Sequence, residues 1–199
     1  MPRSRKAVLL SGGMDSIALA YWLKPEVSIT IDYGQRAAQS EIKAAATVSE
    51  ILGIEHHVIR IDCSSLGSGD LIGTKPLNEA PISEWWPYRN QMLVTMALMK
   101  AIQLDVNELM VGSVKTDAQH VDGTVEFYEK LSNLVVMQEG GIHVTVPAIG
   151  MTPVELVKVS KVPENILLYA HSCHTSNQPC GRCHGCMKYM YVKEQLDIK

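Results

Sequence analysis

The sequence predicts an α/β protein built on a mostly parallel sheet. Three observations carry that expectation. Short apolar, β-branched runs alternate with segments whose apolar residues recur at steps of three and four. A glycine-rich elbow, LLSGGMDSIALA at residues 9–20, joins the first such run to the first helical segment. Polar loops at 32–36 and 112–117 sit, like the elbow, at the carboxyl ends of strands, where parallel sheets bind their ligands.

Residues 6–10 (KAVLL) read as a buried strand, and 16–23 as a helix that stops before Pro25. Residues 27–31 (VSITI) form the second strand. From 37 to 52, Ala38, Ile42, Ala45, Val48 and Leu52 share one helical face, which Gly53 ends. A third strand is expected at 58–61. Residues 64–88 are a long connection rich in Ser, Gly and Pro, a length usually tied to function or mobility. Its Gly67 to Gly73 stretch reads as loop, and Trp85-Trp86 as an interface anchor or a covered loop. Residues 91–104 are apolar nearly all round, which predicts a buried helix. Strands at 108–114 and 143–147 and helices at 124–135, 153–160 and 187–196 complete the pattern. Two segments are expected: an α/β domain over 1–165 and a cysteine knuckle with a tail helix over 166–199.

The formal net charge of −3 supplies no field for nucleic acid. No apolar run reaches membrane length, and the amino-terminal apolar run is too short for a signal peptide. The chain is therefore expected in the cytoplasm. Four of the five cysteines crowd into the last 27 residues, a metal pattern rather than a disulfide framework. Cys63 stands apart and reads as a small buried hydrophobe.

In the elbow, Gly12 and Gly13 permit a sharp turn, Ser11 adds a donor, and Ser16 opens a helix whose N-terminus attracts anions. Together they make a phosphate cradle. No lysine follows the glycines, so this is neither the GxxxxGK[ST] mononucleotide loop nor GxGxxG. Asp15 is a candidate Mg²⁺ ligand. Cys173, Cys180, Cys183 and Cys186 follow C-x6-C-x2-C-x2-C, four thiolates suited to a structural tetrahedral Zn²⁺, with a 4Fe-4S cluster as the alternative. His171, His174 and His184 read as exposed loop histidines beside them.

Ser11-Gly12-Gly13-Met14-Asp15-Ser16 resembles the SGGxDS signature of the PP-loop ATP pyrophosphatases. Combined with the knuckle, it is similar to one branch, the QueC-like 7-cyano-7-deazaguanine synthases. Asp32-Tyr33-Gly34-Gln35-Arg36 matches that family's DYGQR, Pro87-Tyr88-Arg89-Asn90 its PxRN, Thr152 with Glu155 its TxxE, and residues 179–183 its PCGRC. The resemblance spans nearly the whole chain. It implies an adenine-nucleotide α-hydrolase-like, Rossmann-like fold and ATP-dependent activation of the carboxylate of 7-carboxy-7-deazaguanine. Attack by ammonia and a second, dehydrating activation then give the nitrile.

The resemblance and loop positions nominate Asp15, Arg36 and Arg89 as catalytic, the arginines as counter-charges to bound anions. Leu10, Ser11, Gly12, Gly13, Met14, Asp15, Ser16, Tyr33, Gly112 and Asp117 are expected at the nucleotide. Gln35 and Asn90 are expected there too, as partners for a purine-like edge. The family segment YPDCRPEF corresponds to residues 120–127 (HVDGTVEF), and Pro153 replaces a lysine, so the acceptor side of the pocket differs. That difference leaves open transfer of the activated acid to a partner protein's amine, as in QueC-like proteins of antiphage operons. Further alternatives are a tRNA-modifying PP-loop enzyme and a non-catalytic nucleotide scaffold. A homodimer is an expectation carried by the resemblance alone.

Overall fold

The computed structural model describes residues 5–198; residues 1–4 and 199, which the expected segment bounds include, lie outside the described residues. Five parallel strands form one sheet in the order β3-β2-β1-β4-β5: β1 Lys6–Leu9, β2 Val27–Asp32, β3 Glu55–Arg60, β4 Glu108–Val111 and β5 His143–Thr145. The chain winds outward from β1 to β3, then returns past β1 and continues in the other direction. The reversal between β1 and β4 opens a crevice at the carboxyl ends of those two strands.

The strand sequences explain the two buried faces. Along β1, Val8 and Leu10 point to one side and Ala7 to the other. On the first side pack α1 (Met14–Leu23), α2 (Ala38–Leu52), α5 (Pro153–Ser160), α6 (Glu164–Leu167) and α7 (His184–Gln195). On the second lie α3 (Arg89–Gln103) and α4 (Val125–Val135). β2 gives Val27, Ile29 and Ile31 to the second face and turns buried Ser28 and Thr30 to the first. Those hydroxyls are satisfied there: Ser28 meets Ser49 at 2.8 Å, and Thr30 donates to the Leu10 carbonyl at 2.6 Å.

Several expectations shift. α1 begins at Met14, two residues early, because Gly13 takes the extended cap conformation and puts Asp15 and Ser16 in the first helical turn. β3 begins at Glu55; its histidines pair with β2, and His56 Nε2 reaches the Thr30 hydroxyl at 2.9 Å. β4 ends at Val111 because Gly112 turns away there, close against Ser16. α3 is not buried all round. Val94, Ala97 and Ala101 face the sheet, while Met99 and Ile102 are 63% and 50% exposed because no element covers their side. α7 starts at His184 rather than Met187, because the Cys183 sulfur caps it by accepting the Cys186 amide. α6 was not anticipated. Thr152 caps α5 in a reciprocal box with Glu155, with Pro153 at the first turn.

The long connection runs over the surface and is pinned at a few buried points, Leu71, Glu84 and Trp86 among them. Trp86 is fully buried, its ring edge-on to Tyr33 at 4.9 Å, so it anchors the loop rather than a partner. Two short 3-10 turns, Ser64–Leu66 and Gly69–Leu71, lie within it. Cys63 is buried, as a small hydrophobe would be.

Candidate functional site

A cavity of about 300 Å³ occupies the crevice at the carboxyl ends of β1 and β4. One wall is the elbow. No side chain caps α1, so its first-turn amides have no partner within the helix. Ser16 donates to the Gly13 carbonyl at 2.9 Å and meets the Ser11 hydroxyl at 3.1 Å, which gathers both hydroxyls at the helix mouth. Gly12 stands at φ +76°, and a Cβ there would lie 2.4 Å from the Glu41 carbonyl oxygen. Only glycine lets the elbow lie this close to α2.

Leu10, Ser11, Gly13, Met14, Asp15, Ser16, Tyr33, Arg89, Asn90, Gly112 and Asp117 all line the cavity. Gly12 shapes the elbow from behind. With Gly12, two further nominated residues do not line it. Gln35 is buried and spent internally: its amide donates to the Ile31 carbonyl at 3.1 Å and to Glu41 at 2.7 Å, and its oxygen accepts the Tyr33 amide. Arg36 is exposed, its guanidinium beside Gly73 of the long connection. The expectation that these two face a bound acid or purine edge is therefore not matched by their placement. Residues 35 and 36 follow β2 by enough to turn off the crevice. Asn90 lines the cavity, but its side-chain amide donates to the Asp122 carbonyl at 2.9 Å, which holds the 120–123 turn over the start of α3.

Three charged residues in the cavity escaped sequence reasoning. Lys188 of α7 reaches across the elbow, its ammonium 2.7 Å from Asp15 and 3.3 Å from Asp117. Burial works against that charge, but Asp15 and then Asp117 outweigh it and hold the ammonium above the ordinary lysine range. Burial raises the Asp15 carboxyl despite Lys188, and its Oδ1 is buried with no hydrogen-bond partner. Glu41 of α2 lies on the floor. Burial pushes it up to about 7, against the Gln35 hydrogen bond and the Arg89 charge. Arg89 lies by the Tyr33 hydroxyl, where its charge works against the burial that raises that group's pKa. Glu84 comes from the long connection and is bonded by His184 at 2.6 Å.

His171, His174 and His184 all face this cavity, and the reading as exposed residues fails for His171 and His174, which are half-buried. Only His184 is exposed. Burial lowers His174 to about 4, and its Nδ1 has no hydrogen-bond partner. The reason is topological: the cysteine loop folds back on the elbow, and the His171 amide donates to the Gly12 carbonyl.

The four cysteine sulfurs lie within 4.8 Å of one another, so the group could hold a metal ion. Cys180–Cys186 and Cys173–Cys183 are each 3.9 Å apart. The Cys180 thiol is lowered to about 5, first by the Thr175 hydroxyl and then by the Arg182 and Cys183 amides. Burial raises Cys186 to about 12. Gly185 sits where a Cβ would strike the Ser172 carbonyl at 1.9 Å, so the tight curl between ligands requires it.

A family model described as queuosine biosynthesis protein QueC matches residues 5–191. A 7-cyano-7-deazaguanine synthase of Methanocaldococcus jannaschii is 31% identical over 211 residues, covering 90% of each chain. One from Methanothermobacter thermautotrophicus is 30% identical, over 92% of this chain and 91% of that protein. Among solved structures, the U34-tRNA thiolase NcsA from Methanococcus maripaludis with its 4Fe-4S cluster superposes with TM-score 0.56 at 18% identity. That match covers 98% of this chain and 66% of the thiolase. The NMN synthetase of Francisella tularensis gives 0.51 at 17%, over 98% of this chain and 78% of the synthetase. At these identities the structural matches speak to the fold.

Proposed function

The chain belongs to the QueC family of queuosine biosynthesis proteins, and from that premise we propose that it is an ATP-dependent 7-cyano-7-deazaguanine synthase. The observation that carries the ATP half is the uncapped α1 N-terminus opening into the cavity between Ser11, Ser16 and Asp117. The resemblance in sequence to 7-cyano-7-deazaguanine synthases supports the deazapurine half.

A carboxylate is a poor electrophile. In this reading a carboxylate oxygen of the deazaguanine acid attacks the α-phosphorus of ATP, and pyrophosphate leaves toward the elbow. The α1 amides and the two serine hydroxyls hold it there as charge accumulates. Ammonia attacks the resulting acyl carbon, AMP leaves, and the amide forms with loss of a proton. A second activation, at the amide oxygen, ends in loss of that oxygen and of two protons, which leaves the nitrile. Arg89, at the cavity floor beside Tyr33 and Glu41, is the cation placed to hold the substrate acid. The apolar walls from Leu71, Ile82 and Leu93 exclude water from the activated acyl group, which water would return to the acid.

Asp15 and Asp117 suit a magnesium ion: the unpartnered Asp15 Oδ1 faces a site where two carboxylates outnumber one ammonium. When bound, that ion would neutralise phosphate oxygens. We assign the four cysteines to Zn²⁺. Zinc–sulfur bonds of about 2.3 Å place tetrahedral thiolates about 3.8 Å apart, and the 3.9 Å pairs support this. A four-iron cluster holds its cysteines farther apart, by the width of the cluster. With all four positions filled by protein, the ion is structural.

The test is direct. Protein incubated with 7-carboxy-7-deazaguanine, ATP and ammonia is expected to yield 7-cyano-7-deazaguanine by mass spectrometry, with no product when ATP is omitted. Amide without nitrile, or unchanged acid, would overturn the reading. Metal analysis of the purified protein is expected to find one zinc per chain and no iron.

A further inference from the structure

The sequence places no lysine behind the glycines of the elbow, yet the fold brings one there from the other end of the chain. We propose that Lys188 is the phosphate-binding cation of this nucleotide site, presented to the elbow by the helix that the cysteine knuckle starts. The inference deepens the reading above and rests on it for the identity of the nucleotide, although not for the binding of a polyphosphate.

Four observations carry it. The ammonium of Lys188 lies in the cavity that the elbow walls, between Asp15 of the first α1 turn and Asp117 beyond β4. These residues mark the two sides of the crevice between β1 and β4, so the lysine spans the place where phosphate oxygens would meet the α1 amides. Second, the site needs a cation. Asp15 and Asp117 line the cavity with the elbow, and a magnesium ion there would only cancel their two charges; a helix N-terminus amounts to only about half a positive charge, so a triphosphate still lacks a counter-charge. Third, among the described residues of the cavity, Lys188 and Arg89 are the permanently charged cations. Arg89 lies at the floor beside Tyr33 and Glu41, where the reading above gives it the substrate acid. Fourth, Lys188 is steered rather than free. Its helix is capped by Cys183 and carries Cys186, and Tyr189 and Val192 of the same helix also face the cavity. A four-carbon stem ending in three rotatable donors can keep one contact to a carboxylate while turning another donor to a phosphate oxygen.

The role differs from an internal clamp. A clamp between Asp15 and Asp117 would hold the crevice for every ligand alike, whereas a phosphate cation acts only on ligands that carry phosphate. K188A and K188Q are therefore compared with wild type by titration calorimetry against ATP, inorganic pyrophosphate and adenosine, each with magnesium. Bound metal and the melting transition are recorded for each variant, and K188R serves as the conservative replacement. The expected result is a tenfold or greater loss of affinity for ATP and pyrophosphate in K188A and K188Q, with adenosine binding unchanged. K188R should recover most of that loss. Equal weakening of all three ligands, or no change in pyrophosphate binding, would overturn the proposal. If one variant fails to retain its metal and fold, the other and K188R decide the matter by the same comparison. The two readings separate cleanly. Lys188-dependent pyrophosphate binding without any deazapurine product leaves the lysine's role and removes the reaction. Normal turnover with Lys188-independent binding does the reverse.

Discussion

The His171 amide donates to the Gly12 carbonyl at 2.9 Å, which ties the cysteine loop to the turn of the glycine elbow. The same loop leads through Cys173 into the cysteine cluster, and Cys183 and Cys186 set the start of α7. The cysteine cluster, the elbow and the cavity wall formed by α7 thus share one short stretch of backbone.

Removal of the metal is expected to act at the nucleotide site. A structural zinc contributes on the order of 10 kcal/mol to such a lobe. Stripping it with a chelator should release α7 and lower ATP affinity by about tenfold or more. Calorimetry before chelation, after it, and after zinc is restored checks this; unchanged ATP affinity in metal-free protein would count against the linkage.

Gly12→Ala is expected to destabilise the protein by about 2 kcal/mol or more. The positive φ of +76° and a Cβ placed 2.4 Å from the Glu41 carbonyl act together, and neither backbone can yield without moving α2. Urea denaturation gives the stability difference. Gly53→Ala is the control, since its added Cβ meets nothing within 4 Å.

The two nominated arginines should separate. Arg89→Ala removes the cation on the cavity floor and should reduce product formation by about 100-fold. Arg36→Ala lies outside the cavity and should remain within about threefold of wild type. Initial rates of ATP-dependent product formation distinguish them, and equal losses would show that Arg36 reaches the reactants.

Glu41 makes stability fall as pH rises. Burial lifts its carboxyl from the usual 4.5 to about 7, so the folded protein holds a proton that the unfolded chain releases. The contribution is full below about pH 4.5 and is lost as pH passes 7, a span on the order of 3 kcal/mol. In Glu41→Gln this part of the slope between pH 4.5 and 7 should vanish in urea denaturation. A slope identical to wild type would place the titration elsewhere.

What the sequence determined by itself is local. The elbow is legible because glycines, serines and a helix start adjoin one another, so its turn and helix mouth form from neighbours in sequence. The cysteine knuckle is legible because its ligands fall within fourteen consecutive residues. The alternation of strand and helix periods announced a parallel sheet, and a sheet wound this way has its crevice at the strand carboxyl ends. Tertiary structure alone decided which charges enter that crevice. Arg36 and Arg89 look alike in sequence, but one sits on a loop that turns outward and the other opens α3 at the cavity floor. Lys188, Glu41 and Glu84 carry no motif; they lie on α7, α2 and a long connection that meet only after folding. Long-range contacts select side chains by position in space, and local pattern carries no record of that position.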